Sequence, residues 1–142
     1  MKEDEIKILC VDDNVAICEA IQIKLEMSEG IEWVGRLEHA GELTSEVKKL
    51  KPNVVLLDID MPGKDSFEAL EELGEACPEV KVMILSGYVQ NELIDRAVEA
   101  GAWGYISKNE GTEVIISAIR RIAKGEFVLG PEVEAESAKD EL

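Results

Sequence analysis

Apolar positions along the chain follow two alternating patterns. Four short runs are mostly apolar: Ile6 to Val11, Val54-Val55-Leu56-Leu57, Val80 to Leu85 and Trp103 to Ile106. Such runs suit strands of a parallel sheet covered on both faces. Ile31 to Val34 alternates more and predicts an edge strand. Between the runs, apolar residues recur at helical spacing. Ile17, Cys18, Ile21 and Leu25 share a face, as do Leu43, Val47 and Leu50, and Phe67, Leu70 and Leu73. Leu93, Ile94, Ala97 and Val98 form a fourth set, and Val114, Ile115, Ala118, Ile119 and Ile122 the clearest. Asp65 with Glu68 has capping-box spacing, with Asp in place of Ser or Thr. Gly30, Gly101 and Gly125 each stand where a helix is expected to stop.

Strand and helix thus alternate five times over, which predicts an α/β fold. Its sheet is open and parallel, with helices on both faces and right-handed crossovers. At 142 residues the chain suits one domain. It buries roughly two thirds of its unfolded surface and needs no staple. The composition changes after Gly130-Pro131. Residues 131–142 hold five acids against one lysine, so they read as a short acidic tail to a domain spanning residues 1–130.

Fifteen Lys and Arg stand against 31 Asp and Glu, a net charge of −16. With 46% hydrophobic residues the chain is no disordered acidic segment. The charge speaks against direct nucleic-acid binding, which needs a basic face. It speaks equally against an anionic membrane surface. Much of it is solvation; partners, where charge selects them, are basic, cationic or metal-bearing. Met1-Lys2-Glu3-Asp4-Glu5 is no signal peptide, and no apolar stretch approaches the ~20 residues of a membrane span. Cys10, Cys18 and Cys77 are odd in number and lack a CxxC, which predicts buried thiols in a reducing cytoplasm. The last four residues, Lys139-Asp140-Glu141-Leu142, match an ER-retention address; with no signal peptide for delivery the match is taken as chance.

Ligands of open α/β sheets bind beyond the carboxyl ends of the strands. This chain concentrates its reactive side chains there. Asp12-Asp13 ends the first strand, Asp58-Ile59-Asp60 the third and Ser86-Gly87 the fourth, while Ser107-Lys108 follows the fifth. Clustered carboxylates repel one another unless one is protonated or a cation neutralises them. Hard oxygen ligands suit Mg²⁺, which keeps several waters and takes a phosphate as a further ligand. No His or Cys at these ends suggests zinc, and the sole histidine, His39, reads as a surface loop residue. A carboxylate beside Mg²⁺ can attack a phosphoryl group, and phosphoryl transfer is mostly positioning and charge stabilisation. The residues therefore predict a Mg²⁺-dependent phosphoacceptor site.

Four segments carry a resemblance: Ile8-Leu9-Cys10-Val11-Asp12-Asp13, Leu57-Asp58-Ile59-Asp60-Met61-Pro62-Gly63, Ile84-Leu85-Ser86-Gly87 and Gly101-Ala102-Trp103-Gly104-Tyr105-Ile106-Ser107-Lys108. In this order the chain resembles, over about residues 5 to 125, a response-regulator receiver domain of two-component signalling. The run from Ala118 to Val133 resembles the NarL/FixJ branch, in which a helix-turn-helix output domain follows; no basic helix here replaces it. The resemblance implies a flavodoxin-like (βα)5 fold with five parallel strands in the order 2-1-3-4-5. It implies Asp58 as phosphoacceptor. Asp13 then binds Mg²⁺ directly, Asp12 largely through water, and the Asp60 backbone carbonyl is another ligand. Ser86 and Lys108 hold the phosphoryl oxygens, and Tyr105, which alone would read as core, becomes an aromatic switch that turns inward. A histidine kinase or histidine phosphotransfer protein is the implied donor, a downstream protein or output domain the reader, and a homodimer through a helical face is typical of the family.

Three features depart from the family pattern. Asn109 follows Lys108 where many receivers have proline, Asp60 adds a carboxylate where a neutral residue is common, and Tyr88 is bulky. Tyr88 is expected to shield an aspartyl phosphate from water. Among rival readings, a phosphohydrolase would want its DxD on the first strand with Thr after it, and room for a cap. A flavodoxin-like FMN carrier would want a phosphate loop where Asp12-Asp13-Asn14 stands. A docking domain that is never phosphorylated would not need the full set of site residues.

Overall fold

The computed structural model describes residues 5–139. The N-terminal residues 1–4 and residues 140–142 of the retention-like tetrapeptide lie outside the described residues. Along the chain come β1 (Ile6–Val11), α1 (Val15–Glu26), β2 (Ile31–Leu37), α2 (Leu43–Leu50), β3 (Val54–Leu57) and α3 (Ser66–Ala76). Then follow β4 (Lys81–Ser86), α4 (Asn91–Glu99), β5 (Gly104–Ser107), α5 (Thr112–Ala123), β6 (Val128–Leu129) and α6 (Pro131–Lys139). All strand pairs are parallel, in the order β2-β1-β3-β4-β5-β6. The expected order of the first five strands holds, but the sheet has six strands rather than five.

The period-two geometry of the strands sorts their side chains onto two faces. Leu9, Val11, Val55, Leu57, Val82, Ile84 and Tyr105 meet α2, α3 and α4 through Val47, Leu70, Leu73 and Ile94. Ile8, Cys10, Leu56, Met83, Leu85 and Ile106 meet α1 and α5 through Cys18, Leu25, Ile119 and Ile122. Four of the helical faces match their elements. In the fourth set only Ile94 and Ala97 are buried; Val98 faces solvent, one residue too far round the helix. Asp65 caps α3 by accepting from the Phe67 amide at 3.0 Å. Gly101 and Gly125 have φ of +103° and +96°, each one residue beyond a helix C-cap. The amides of Ala102 and Glu126 then reach back to the carbonyls of Ala97 and Arg121, closing both ends in Schellman motifs. Gly30 does not stop α1, which ends at Glu26 with Met27 as its C-cap; it turns the chain into β2.

The edge strand runs to Leu37 rather than Val34, because after a register shift at Ile8/Leu9 it keeps pairing with β1. The sixth strand was hidden in a two-residue pairing of Val128 with Gly104 and Leu129 with Tyr105. The segment expected as an acidic tail instead begins with a helix, α6, whose Val133 is fully buried. One apolar anchor among acids looks like a solvated tail by composition, yet it suffices to seat a helix against the body of the domain.

Candidate functional site

Strand register brings the acidic residues together. Val11 and Leu57 are partners across β1 and β3, so the next residue of each strand, Asp12 and Asp58, emerge side by side. The Asp58 amide donates to the Val11 carbonyl at 2.9 Å and the Asp12 amide to the Leu37 carbonyl at 2.9 Å. Ser86 and Ser107 are partners across β4 and β5, which puts Lys108 at the same edge. Its ammonium lies 2.7 Å from Asp12 Oδ2 and 3.3 Å from Asp58 Oδ2. Both carboxylates are buried, at 2% and 4% exposure.

Asp12, Asp13 and Asp58 each offer a carboxylate oxygen within 4.8 Å of the others. An octahedral Mg²⁺ with oxygens at roughly 2.1 Å places ligands up to about 4.2 Å apart. The hard, all-oxygen donor set therefore fits that ion after a small closure. Asp13 is exposed and can follow an ion, whereas Asp12 is fixed by its own loop, its Oδ1 accepting from the Asn14 amide at 2.9 Å. Asp60 is not part of this cluster of side chains; it is exposed, and its amide donates to Asp58 Oδ1 at 3.2 Å.

Burial pushes the Asp58 carboxyl above its ordinary range, against the downward pull of Lys108. Burial alone would lower the Lys108 ammonium, but its contacts with Asp12 and Asp58 outweigh this and raise it. A carboxyl raised above its unfolded value adds stability at low pH that is lost as pH rises through the folded value. Asp58→Asn is therefore expected to raise the stability of the metal-free protein at neutral pH. That gain should vanish below the ordinary carboxylate range. A urea midpoint at neutral pH that fails to rise contradicts this.

Ser86 is buried, its hydroxyl oxygen accepts from the Tyr88 amide at 2.9 Å, and the hydroxyl stands against the Tyr105 phenol. Tyr105 is turned inward and buried, its hydroxyl donating to the Tyr88 carbonyl. Burial pushes that phenol up to about 12. Tyr88 itself is half exposed beside the site. The chain around Asn109 is trans, its amide bonded to Ser107 Oγ at 3.0 Å. His39 is exposed, as expected, and its Nδ1 accepts from the Gly41 amide.

Sequence reasoning missed four supporting groups. Arg36 Nη1 donates to the Asp12 carbonyl at 3.0 Å, and Ser66 Oγ to the Asp58 carbonyl at 2.9 Å. The Cys18 thiol lies 3.6 Å from the Asp12 carbonyl and 3.8 Å from Cys10 Sγ, so thiols do lie near this edge, behind the loop rather than among the carboxylates. Glu110 Oε2 accepts from the Glu132 amide. Each acts on a backbone group in another element or loop, six to 24 residues away, so no local pattern marks it.

Residues 8–120 match the family model of the response regulator receiver domain. The chain belongs to that family. It is 32% identical to the response regulator GacA of Pseudomonas aeruginosa over 133 residues, which cover 94% of this chain and 62% of GacA. The chain thus spans less than two thirds of that relative. A LuxR-family two-component response regulator from Aurantimonas sp. superposes with a TM-score of 0.91 at 25% identity, covering 96% of this chain and 98% of the other. The receiver domain of NarL from Mycobacterium tuberculosis shares the fold, with a TM-score of 0.82 at 24% identity over 87% and 99% of the two chains. These neighbours agree with the resemblance to the NarL/FixJ branch. Receiver domains are signalling switches of two-component phosphorelays rather than classical enzymes, with histidine kinases as partners and Mg²⁺ at an acidic pocket. Among the described residues no helix is long and apolar enough to cross a membrane.

Proposed function

We propose that this receiver domain is switched by phosphorylation of Asp58. The observation that carries the reading is the buried Asp58 carboxylate at a central strand end, facing Lys108 at 3.3 Å and clustered with Asp12 and Asp13. An Asp58 oxygen attacks the phosphorus of a phosphohistidine on a histidine kinase or histidine phosphotransfer protein. The P–N bond breaks, its electron pair returns to the imidazole, and an acyl phosphate remains. Asp13, Asp58, the Asp60 carbonyl and, through water, Asp12 would hold Mg²⁺, which when bound offsets the crowded negative charge. Lys108 turns from Asp12 to a phosphoryl oxygen, and the Ser86 hydroxyl donates to another. Tyr105 is already inward and locks there as Ser86 engages. Residues 1–130 form the receiver unit, and the reader is a downstream protein or an output domain, as in transcriptional relatives.

Incubation with acetyl phosphate and Mg²⁺ is expected to add one phosphoryl group to the intact protein, and none to Asp58→Asn. No addition, even from a cognate kinase, would overturn the reading. Tyr88, two residues past Ser86 and half exposed, is read as a shield against water, so Tyr88→Ala is expected to lose the phosphoryl group several-fold, on the order of 3–10 times, faster. Decay at the parental rate, followed by intact mass, would remove Tyr88 from that role.

A further inference from the structure

Helix α6 is held to the domain by the buried Val133 and a few hydrogen bonds, one of them from the loop that follows Lys108. We propose that α6 is a strap over the α4–β5 face, released when Asp58 is phosphorylated. The inference rests on the function proposed above. Val133, fully buried, joins the apolar cluster of Ile94, Ala97, Ala102 and Tyr105. At the start of the helix the Glu132 amide donates to Glu110 Oε2 at 2.8 Å. Just ahead of it the Gly130 amide donates to the Tyr105 carbonyl at 3.0 Å. Towards the far end, Asn91 Nδ2 on α4 donates to the Glu136 carbonyl at 3.3 Å.

Nine residues make an α-helix that is marginal alone, since isolated helices shorter than ~12–15 residues rarely persist in water. Glu132 and Glu134 suit the positive end of the helix, but that adds only a few tenths of a kcal/mol to about one. Docking therefore depends on the anchors. One of them is tied to the loop that answers to a phosphoryl group: Glu110 lies two residues beyond Lys108, and its amide is bonded to the Ser107 carbonyl at 3.1 Å.

A phosphoryl group brings charge that pulls the Lys108 ammonium away from Asp12. The Lys108 loop follows, and a shift of under an ångström takes the Glu110 carboxylate out of hydrogen-bond range of α6. Release empties the seat of Val133 in the cluster that holds Ile94, Ala97 and Ala102, and takes the acids Glu132, Glu134 and Glu136 away with the helix. The vacated seat fits an amphipathic segment of a partner with a branched apolar residue in the place of Val133.

Amide hydrogen exchange on the full chain reads the strap directly. With Mg²⁺ and acetyl phosphate, amides of residues 132–139 are expected to exchange at least about tenfold faster, the worth of one charge-assisted hydrogen bond in an opening equilibrium. Asp58→Asn under the same conditions shows no change. Val133→Asp opens α6 without phosphorylation while β1, β3 and β4 stay protected. Glu110→Ala, a change at a half-buried loop residue, loosens α6 by a similar factor and blunts the response, and Glu110→Gln restores part of it. If intact mass shows the phosphoryl group on the protein while α6 exchanges no faster, the strap is wrong and the function stands. If Val133→Asp or Glu110→Ala leaves α6 exchange unchanged, the anchors are wrong. If no phosphoryl group is accepted, the function and the release both fall.

Discussion

Lys108→Ala lowers the stability of the metal-free protein by about 2–3 kcal/mol, and saturating Mg²⁺ returns most of that loss. The Lys108 ammonium is mostly buried and is the cation seated against the acidic edge, touching Asp12 at 2.7 Å and Asp58 at 3.3 Å. Removing one member of a buried ion pair costs about 3–5 kcal/mol, and partial exposure of the lysine trims that figure. The variant is left with three carboxylates whose oxygens lie within 4.8 Å of one another. An ion that binds only the folded state adds about 2.7 kcal/mol at 100 times its Kd. The Mg²⁺ effect should therefore be larger in Lys108→Ala than in the parent, because the ion no longer competes with an ammonium. Urea melts in EDTA and in Mg²⁺ check both parts. A variant as stable as the parent in EDTA would show that Lys108 does not neutralise the site.

Gly104→Ala destabilises the fold by about 2–3 kcal/mol and detaches β6. A β-carbon at this position would lie 2.9 Å from the Val128 carbonyl oxygen and 2.6 Å from Ile122 Cδ1. The Ile122 methyl can rotate away, but the carbonyl belongs to the backbone that pairs β6 with β5. The Gly104–Val128 pairing must widen, and with it the adjoining Tyr105–Leu129 pair that leads into α6. Exchange of the Val128 and Gly130 amides should rise before that of β1 or β3. A variant with parental stability and a protected Gly130 amide contradicts this packing.

The five-fold alternation of strand and helix was legible because each buried strand is a short, mostly apolar run and each helix, except α6, has a stripe. The carboxylates were legible because strand ends are where an open parallel sheet presents polar groups. Asp12, Asp13, Asp58 and Lys108 come together there, and Ser86 ends β4 at the same sheet edge. What the sequence hid depends on single residues in tertiary context. Val128-Leu129 is too short to show a period. Val133 is one apolar residue among acids, and its burial follows from the cleft between α4 and β5. Glu110 looks like any solvated acid, because its partner is a backbone amide of a residue 22 positions later. The two thiols near Asp12 were discounted because Cys18 reaches the loop from a helix that follows it.

The central claim is that Asp58 accepts the phosphoryl group, and trapping the acyl phosphate tests it most directly. After treatment with acetyl phosphate and Mg²⁺, borohydride reduces an aspartyl phosphate to homoserine at the modified residue. Peptide mass mapping is predicted to find homoserine at position 58 and aspartate at positions 12, 13 and 60. Homoserine at one of those other positions, or none anywhere in a protein shown by mass to carry the phosphoryl group, would contradict the account.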